Sequence, residues 1–497
     1  MTSVWKYDKL IDRGTNSRKN GYADTQNRID AASAHPEQNR RDGITMKHRG
    51  IFLLTVCGML AVQPVLPAFA ADAEPSDEVV MTATVTLNGD SASADGENVT
   101  VDGSKITVSA SGNYLFSGTL NDGQIAVNVP DTKADTGTVR LYFQGVNIKG
   151  VSEAALYVIN AENTSVNLMD GTENFLSDGA KYTKTEAVIF AKDDITIKAG
   201  GPEENGKLTV TAAYQHAVHC NNDVKITGGD IKIRTAEGDG IETGIGDGIR
   251  GKTSVQIKGG KLDVNAGGDG IKSTKGYVTI SDGNTDIKAG KDAVQGETAV
   301  TVSGGSLKAN GDRGLTNAND AEGNVITVTG GTILATATDR QAVVANNTQP
   351  VLLFKTTEQQ LKDQRIELYE EGSDTAVFSK KPDKKFNYVL ISSPDLKAGS
   401  KYTLSVGGAA TEAGVITLGE EKTELPDVVC AASAVNYDIN GDELETVADA
   451  VMLCRVIAED TTLSPTDYAA GRLDVNRDGL LTLKDVLNIL RYIAQNN

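Results

Sequence analysis

The 497-residue chain is 39% hydrophobic but only 5% aromatic, and it carries 52 glycines and a formal net charge of −19. That acidic excess disfavours nucleic acid and anionic membrane surfaces as partners, since both are polyanions. Four cysteines, Cys57, Cys220, Cys430 and Cys454, are too sparse and too far apart for a disulfide framework.

Residues 1–45 are polar, mixed in charge and without apolar periodicity. Met46 then opens MKHRGIFLLTVCGMLAVQPVLPAFA, with Lys47 and Arg49 as a basic start, an apolar run from Ile51 to Leu66, and a small-x-small end at Ala68-Phe69-Ala70. This pattern is read as a secretory signal peptide over 46–70, cleaved between Ala70 and Ala71. Residues 1–45 are then expected to be a misassigned extension before a true start at Met46. Residues 1–70 contain ten Lys/Arg and six Asp/Glu, so their loss moves the net charge from −19 to −23. No other stretch is apolar for long enough to span a bilayer. The sequence therefore describes a secreted, extracellular protein.

After a linker over 71–78, residues 79–222 alternate apolar and polar in short runs such as VTVDGSKITVSASGNYLFSG and TVRLYFQGVNI. Residues 224–344 are more regular. Five lines share one grammar: VKITGGDIKI, VQIKGGKLDV, VTISDGNTDI, VTVSGGSLKA and ITVTGGTILA, each followed by a loop with an aspartate. The turns fall at Gly228-Gly229, Gly259-Gly260, Asp282-Gly283, Gly304-Gly305 and Gly330-Gly331, and the loop aspartates at Asp239, Asp269, Asp292, Asp312 and Asp339. Isoleucine and valine at every second position pack inward, and glycine serves the sharp turns. No line can bury its own apolar face, so a repeat of this length predicts stacked coils, a β-solenoid. A β-sandwich would not need the same loop aspartate on each line. Residues 351–420 break the rhythm and read as a β cap on the same domain, with a linker over 421–433.

Stacked loops bring carboxylates within a few ångströms of one another, which is unfavourable unless protons or cations neutralise them. Asp239, Glu242 and Asp247 crowd the first loop, followed by Asp269 and Asp292. Two readings stand: one or more calcium sites, since calcium accepts six to eight oxygens, or aspartates that cap their own turns through backbone N–H groups. Arg250, Lys272, Arg313 and Arg340 lie on or near these loops. They are candidate bases for a lyase abstracting the proton α to a carboxylate, or simply solvated cations. His216 and His219, in YQHAVHC, are candidate metal ligands or members of a side-chain ladder.

The C-terminal segment is duplicated. YDINGDELETVADAVMLCRVIA (437–458) aligns with LDVNRDGLLTLKDVLNILRYIA (473–494) at an offset of 36 residues. Each half opens with an EF-hand-like loop, in which five side chains and one carbonyl face a calcium ion. The first loop offers Asp438, Asn440, Asp442, Thr446 and Asp449 with the Leu444 carbonyl; the second offers Asp474, Asn476, Asp478, Thr482 and Asp485 with that of Leu480.

Two such loops, each followed by one helix and ending in Asp, resemble a type I dockerin over residues 434–497. The resemblance implies two calcium ions and a cohesin partner on a cellulosomal scaffold or cell-surface protein, read by Val447-Ala448 and Leu483-Lys484. Neither pair is Ser-Thr, and Glu443 and Arg477 replace loop glycines. GGDGIKS, VTISDG, VTVSGG and VLISSPDLKAGSKYTLSVGG are similar to a secreted carbohydrate-binding β-helix family of anaerobic plant-cell-wall degraders. That resemblance implies a right-handed parallel β-helix like that of pectate lyases, with calcium and cellulose or acidic pectin-type sugars as ligands.

The expected fold is thus mainly β: a right-handed parallel β-helix carbohydrate-binding domain over 79–350, its cap, and a small α-helical dockerin domain with two EF-hand-like calcium loops. The expected function is non-catalytic binding of plant cell-wall polysaccharide, assisted by calcium and anchored to a cohesin. The alternatives are a calcium-dependent polysaccharide lyase using Arg250, Lys272 and Arg313, or a structural surface adhesin.

Overall fold

The computed structural model describes residues 79–179, 185–235, 245–317, 325–430, 437–442, 444–463, 473–475 and 480–496. Pro75–Asn497 forms one compact unit. The expected extension, signal peptide and first linker lie outside the described residues.

The period-2 alternation does build strands, and their apolar residues align in depth. Val255, Val278, Val300 and Ile326 stand side by side on successive parallel strands, as do Ile257, Ile280, Val302 and Val328. All are at most 1% exposed. Burying each such side chain contributes about 1.5–3 kcal/mol, so the interior columns hold the strands in register. A second sheet of ten strands runs from Arg313–Asn317 back to Val99–Asp102. All its neighbours are parallel except the pair Val99–Asp102 and Lys105–Val108.

The expected right-handed parallel β-helix with an appended EF-hand-like dockerin domain is corrected by the strand pairing. Eight parallel strands close on themselves as a barrel. Thr138–Gly150 pairs through its first half with Asn163–Leu168 and through its second half with Glu173–Asp178. One arm continues through Ile195–Ala199 and Asp223–Ile226, the other through Lys207–Thr211 and Asp230–Arg234. Both arms end on Ser254–Ala266, which takes one on each half. The physical reason lies at the glycines. Gly145, and Gly259-Gly260, bend a 13-residue strand without ending it, so that one strand serves both arms. Among the described residues the helical content is two short helices, α1 (Val447–Ile457) and α2 (Leu483–Asn496).

The second glycine of each pair is needed for two reasons. Gly260 has φ +82°, a left-handed conformation, and a Cβ there would meet the Gly229 carbonyl oxygen at 2.7 Å. Gly145 also has positive φ, +73°, but faces open space.

Residues 351–428 extend the large sheet by three strands and add a separate four-stranded sheet, over a second core that includes Phe354, Phe386 and Tyr402. The strand Lys422–Val428, in the stretch expected as a linker, pairs with Val351–Gln360. This region is strapped to the parallel strands by half-buried charge. Lys308 Nζ lies 2.7 Å from Asp286 and 2.6 Å from Asp383, and the Asp383 N–H donates to Asn310 Oδ1 at 3.1 Å. The strap brings Lys384 and Lys385 against the end of the stack.

At the C-terminus, Thr446 caps α1 and forms a capping box with Asp449. Ile439, Leu453, Val475 and Ile489 pack the two loop–helix segments together, and Tyr437 stacks on Tyr492 at 3.9 Å.

The two glycine environments predict different costs. Gly145→Ala should lose about 1–2 kcal/mol, the price of a left-handed alanine. Gly260→Ala should lose about 1–3 kcal/mol more, because backbone must move as well. Urea unfolding of both variants checks this; equal losses would show that the close backbone approach at Gly260 imposes nothing.

Candidate ligand groove

Register carries one outward-facing row across the ten-stranded sheet. Tyr157, Phe190, His219, Arg250, Lys272 and Gln295 are direct neighbours on successive strands. Parallel strands lie about 4.8 Å apart, so the row spans about 24 Å and passes from aromatic to imidazole to cation to amide. The flanking Ile249, Gly251, Ile271 and Ser273 point inward and are buried.

Three residues before the last three members stand Asp247, Asp269 and Asp292, at most 6% exposed. They form a chain of caps. Asp247 Oδ1 accepts the Asp269 N–H at 2.9 Å, and Asp269 Oδ1 accepts the Asp292 N–H at 3.1 Å. The remaining oxygens meet cations: Arg250 Nη1 lies 3.2 Å from Asp247 Oδ2, Lys272 Nζ pairs with Asp269 Oδ2, and Arg313 grips Asp292 through Nε and Nη2. Burial lifts the Asp292 carboxyl above its ordinary value, and the neighbouring Asp269 adds to the lift against the pull of Arg313. Burial would lower the Arg313 guanidinium, but Asp292 holds it above its ordinary value. A guanidinium held in this way does not give up its proton to act as a base.

These residues open into a groove of about 670 Å³, whose lining includes Asp269, Lys272, Lys291, Asp292, Gln295, Asp312, Arg313, Asp339 and Lys385. Asp312 is exposed at the rim, 3.6 Å from Lys384. Lys291 and Lys385 are exposed and have no anionic partner among the described residues. Gln295 is 7% exposed, and its Oε1 has no hydrogen-bond partner among the described residues. An arrangement of two unpaired ammonium groups and a buried amide suits a polar, extended ligand that brings its own acceptors and hydroxyl donors.

The structure thus joins Asp247, Asp269 and Asp292 to Arg250, Lys272 and Arg313 in a single paired network. Asp239 and Glu242 lie outside the described residues, and Arg340 is exposed. Gln295, Lys291 and Lys385 were missed in the sequence. The Asp-x-x-Arg/Lys/Gln spacing at 247–250, 269–272 and 292–295 was the available signal for the first.

Of the C-terminal loop residues, Asn476 and Asp478 lie outside the described residues. Asp438, Asn440 and Asp442 converge in the first loop, where Asp438 Oδ1 accepts the N–H groups of Gly441 at 2.7 Å and Asp442 at 3.1 Å. Leu444 is exposed beside them, and its N–H donates to Asp442 Oδ1 at 2.9 Å. Asp449 is fully buried; its Oδ1 accepts the Ile439 and Asn440 N–H groups, and its Oδ2 accepts that of Thr446. In the second half Asp474 lies in the loop and Leu480 is exposed, while Asp485 Oδ2 accepts the Thr482 N–H at 2.9 Å. Val447, Ala448, Leu483 and Lys484 open the two helices and are all exposed.

A mainly parallel β frame presenting a polar, doubly charged groove defines a surface for an extended polar ligand. Residues 102–348, which hold the barrel and most of the groove, match a family described as "Carbohydrate-binding domain-containing protein". A protein of that description from Acetivibrio thermocellus is 39% identical over 130 residues, which cover 25% of this chain and 42% of the relative. The chain thus matches less than half the length of that relative. A solved structure, titled a polysaccharide lyase-like protein from C. thermocellum, is 32% identical. It aligns over 50% of this chain and 97% of its own, with a TM-score of 0.42. Over residues 102–348 the chain is thus similar to carbohydrate-binding domains.

Arg313→Ala would leave Asp292 buried and unpaired, at a cost of about 3–5 kcal/mol near neutral pH. A carboxyl whose folded pKa exceeds its unfolded value binds more protons in the folded state, so its contribution to stability improves as pH falls. The deficit should therefore narrow on acidification through the raised Asp292 value and be full above it. Urea unfolding at neutral and acidic pH checks this; a deficit independent of pH would assign the loss to packing.

Proposed function

We propose that this chain is a secreted, non-catalytic protein that binds plant cell-wall polysaccharide, with acidic pectin-type sugar in the groove. The observation that carries the reading is the pairing inside the groove. Asp269 and Asp292 are already matched by Lys272 and Arg313, and Asp312 by Lys384, so the unmatched charges of the lining, among the described residues, are the ammonium groups of Lys291 and Lys385 against the single exposed carboxylate of Asp339. Two free ammonium groups attract carboxylates. At the aromatic start of the row, half-buried Tyr157 packs on buried Phe190, with ring centroids 5.5 Å apart, and offers apolar surface on the same face.

The same pairing argues against the lyase alternative, because Arg250, Lys272 and Arg313 each face a carboxylate. It also leaves calcium little to neutralise in the ladder. We therefore assign the proposed calcium to the C-terminal loops, where Asp438, Asn440, Asp442 and Asp449 in one, and Asp474, Thr482 and Asp485 in the other, supply oxygen. Anchoring to a cohesin is proposed through α1 and α2. Val447, Val451, Leu483, Leu487 and Leu490 are exposed there by 39–67%, an apolar surface that a partner would cover.

Affinity electrophoresis in polygalacturonate tests the groove. Lys291→Ala with Lys385→Ala should weaken binding about tenfold or more and flatten its salt dependence, while the ultraviolet absorbance of unsaturated uronide stays flat. Unchanged retention of the double variant would remove the groove from the reading, and rising absorbance would make the protein a lyase. For the anchor, Asp438→Ala with Asp474→Ala should abolish calcium-dependent cohesin capture; capture that survives, with or without chelator, would refute the calcium-loaded anchor.

A further inference from the structure

A second cluster lies on the sugar-facing row, outside the groove. Glu186, His216 and His219 each offer a ligand atom, and the three atoms lie within 4.8 Å of one another. Local structure fixes two of them firmly. Glu186 immediately precedes the strand Ala187–Ala191, and its carbonyl accepts the His216 N–H at 3.1 Å. His219 sits three residues on, with its ring edge-on to Phe190 at 5.2 Å and to His216 at 5.6 Å. Both histidine side chains are 12% exposed. His219 Nδ1 is buried with no hydrogen-bond partner among the described residues, 3.7 Å from Glu186 Oε2. A buried imidazole nitrogen without a partner costs free energy that a bound cation would recover.

We propose that Glu186, His216 and His219 form a binding site for a borderline divalent transition cation of the Zn²⁺ class. Two imidazoles and a carboxylate, with water in the remaining position, make a common tetrahedral donor set for such an ion, whereas calcium takes oxygen ligands. The imidazoles are in the form that ligates. Burial holds His219 down at about 4 and lowers His216, so both are neutral near pH 7. The Glu186 side chain is 61% exposed and opens the site to solvent.

The surrounding charges permit a cation. Arg250 Nη1 lies 3.5 Å from His216 Nε2, but it is also 3.2 Å from Asp247 Oδ2, whose carboxylate offsets it. With Glu186 ionised, the ligand set itself carries one negative charge before the ion enters. The adjustment falls on His216, whose Nδ1 accepts the Asp247 N–H at 3.0 Å. Metal entry exchanges that hydrogen bond for a coordinate bond, so His219 and Glu186 supply most of the affinity and His216 completes the set. This site stands apart from the carbohydrate reading, since the groove residues contribute no ligand to it.

The test is titration of the full chain with Zn²⁺ by calorimetry and with Co²⁺ by visible absorption, in excess calcium so that oxygen-rich loops are filled. The wild type should bind Zn²⁺ and show the absorption bands of nitrogen-ligated Co²⁺. His219→Ala should lose both. Glu186→Gln, at a largely exposed position that will not disturb folding, should weaken Zn²⁺ by about tenfold or more. Circular dichroism separates lost ligation from lost fold, and the Glu186→Gln result decides should His219→Ala not fold. Equal Zn²⁺ affinity in Glu186→Gln, or Co²⁺ bands unchanged in a folded His219→Ala protein, would overturn the proposal.

Discussion

The structure turns on a carboxylate that does two things at once. Asp247 and Asp269 each accept the backbone N–H of the next aspartate and hold a cation on the other oxygen, and Asp292 ends the chain in the grip of Arg313. Because every cap is also a charge partner, the position of each cation follows from the position of the strand beneath it. Removing one partner of such a buried pair costs far more than the pair contributes net. The network is therefore better understood as fixing geometry than as adding stability: it keeps Lys272 and Arg313 on the groove wall.

Parallel register does the rest. In a parallel sheet the evenly spaced ladder brings like positions of successive strands side by side, so whatever the sequence places at one position becomes a row. Here the row changes chemistry along its length, and neutral and charged portions are segregated on one continuous face. The earlier strands of the ten-stranded sheet supply the aromatic and imidazole portion and its later strands the charged one, while Lys308 between Asp286 and Asp383 straps the neighbouring parallel strands to the C-terminal residues. The strap matters for function because Lys385 reaches the groove from the C-terminal sheets, not from the repeats.

Much of this was legible in the chain. Alternation of Ile and Val at 255, 257, 278 and 280 specified strands with one buried face, and the glycine pairs specified left-handed bends such as Gly260 at φ +82°. Closure of the eight strands was not legible. A glycine pair reads equally well as the end of a strand or as a bend within one, and only the pairing of both halves of 138–150 and 254–266 decides. The strand 422–428 was hidden for a similar reason, since KTELPDV contains a proline and polar residues and finds its place only against 351–360. At the site, charge spacing was readable but pairing was not. Asp292 carries glutamine three residues on, and its cation comes from the next strand, a contact that linear spacing cannot express.

The same logic bears on where a ligand can bind. A row of cations already matched by carboxylates offers little net attraction, so affinity must come from groups the fold leaves unmatched: Lys291 and Lys385 at one end, and the His219 imidazole at the other. The His219 ring is held against a packed neighbour, whereas Lys291 and Lys385 are exposed side chains on an anchored backbone. Lys291 directly precedes Asp292 in the chain, and His219 lies edge-on to Phe190. A polar group held in place without a partner loses little further entropy when one arrives, which is the condition under which a few contacts yield useful affinity. Saturation of the ladder and vacancy at its ends are therefore two aspects of one arrangement, in which internal pairing confines binding to the positions left over.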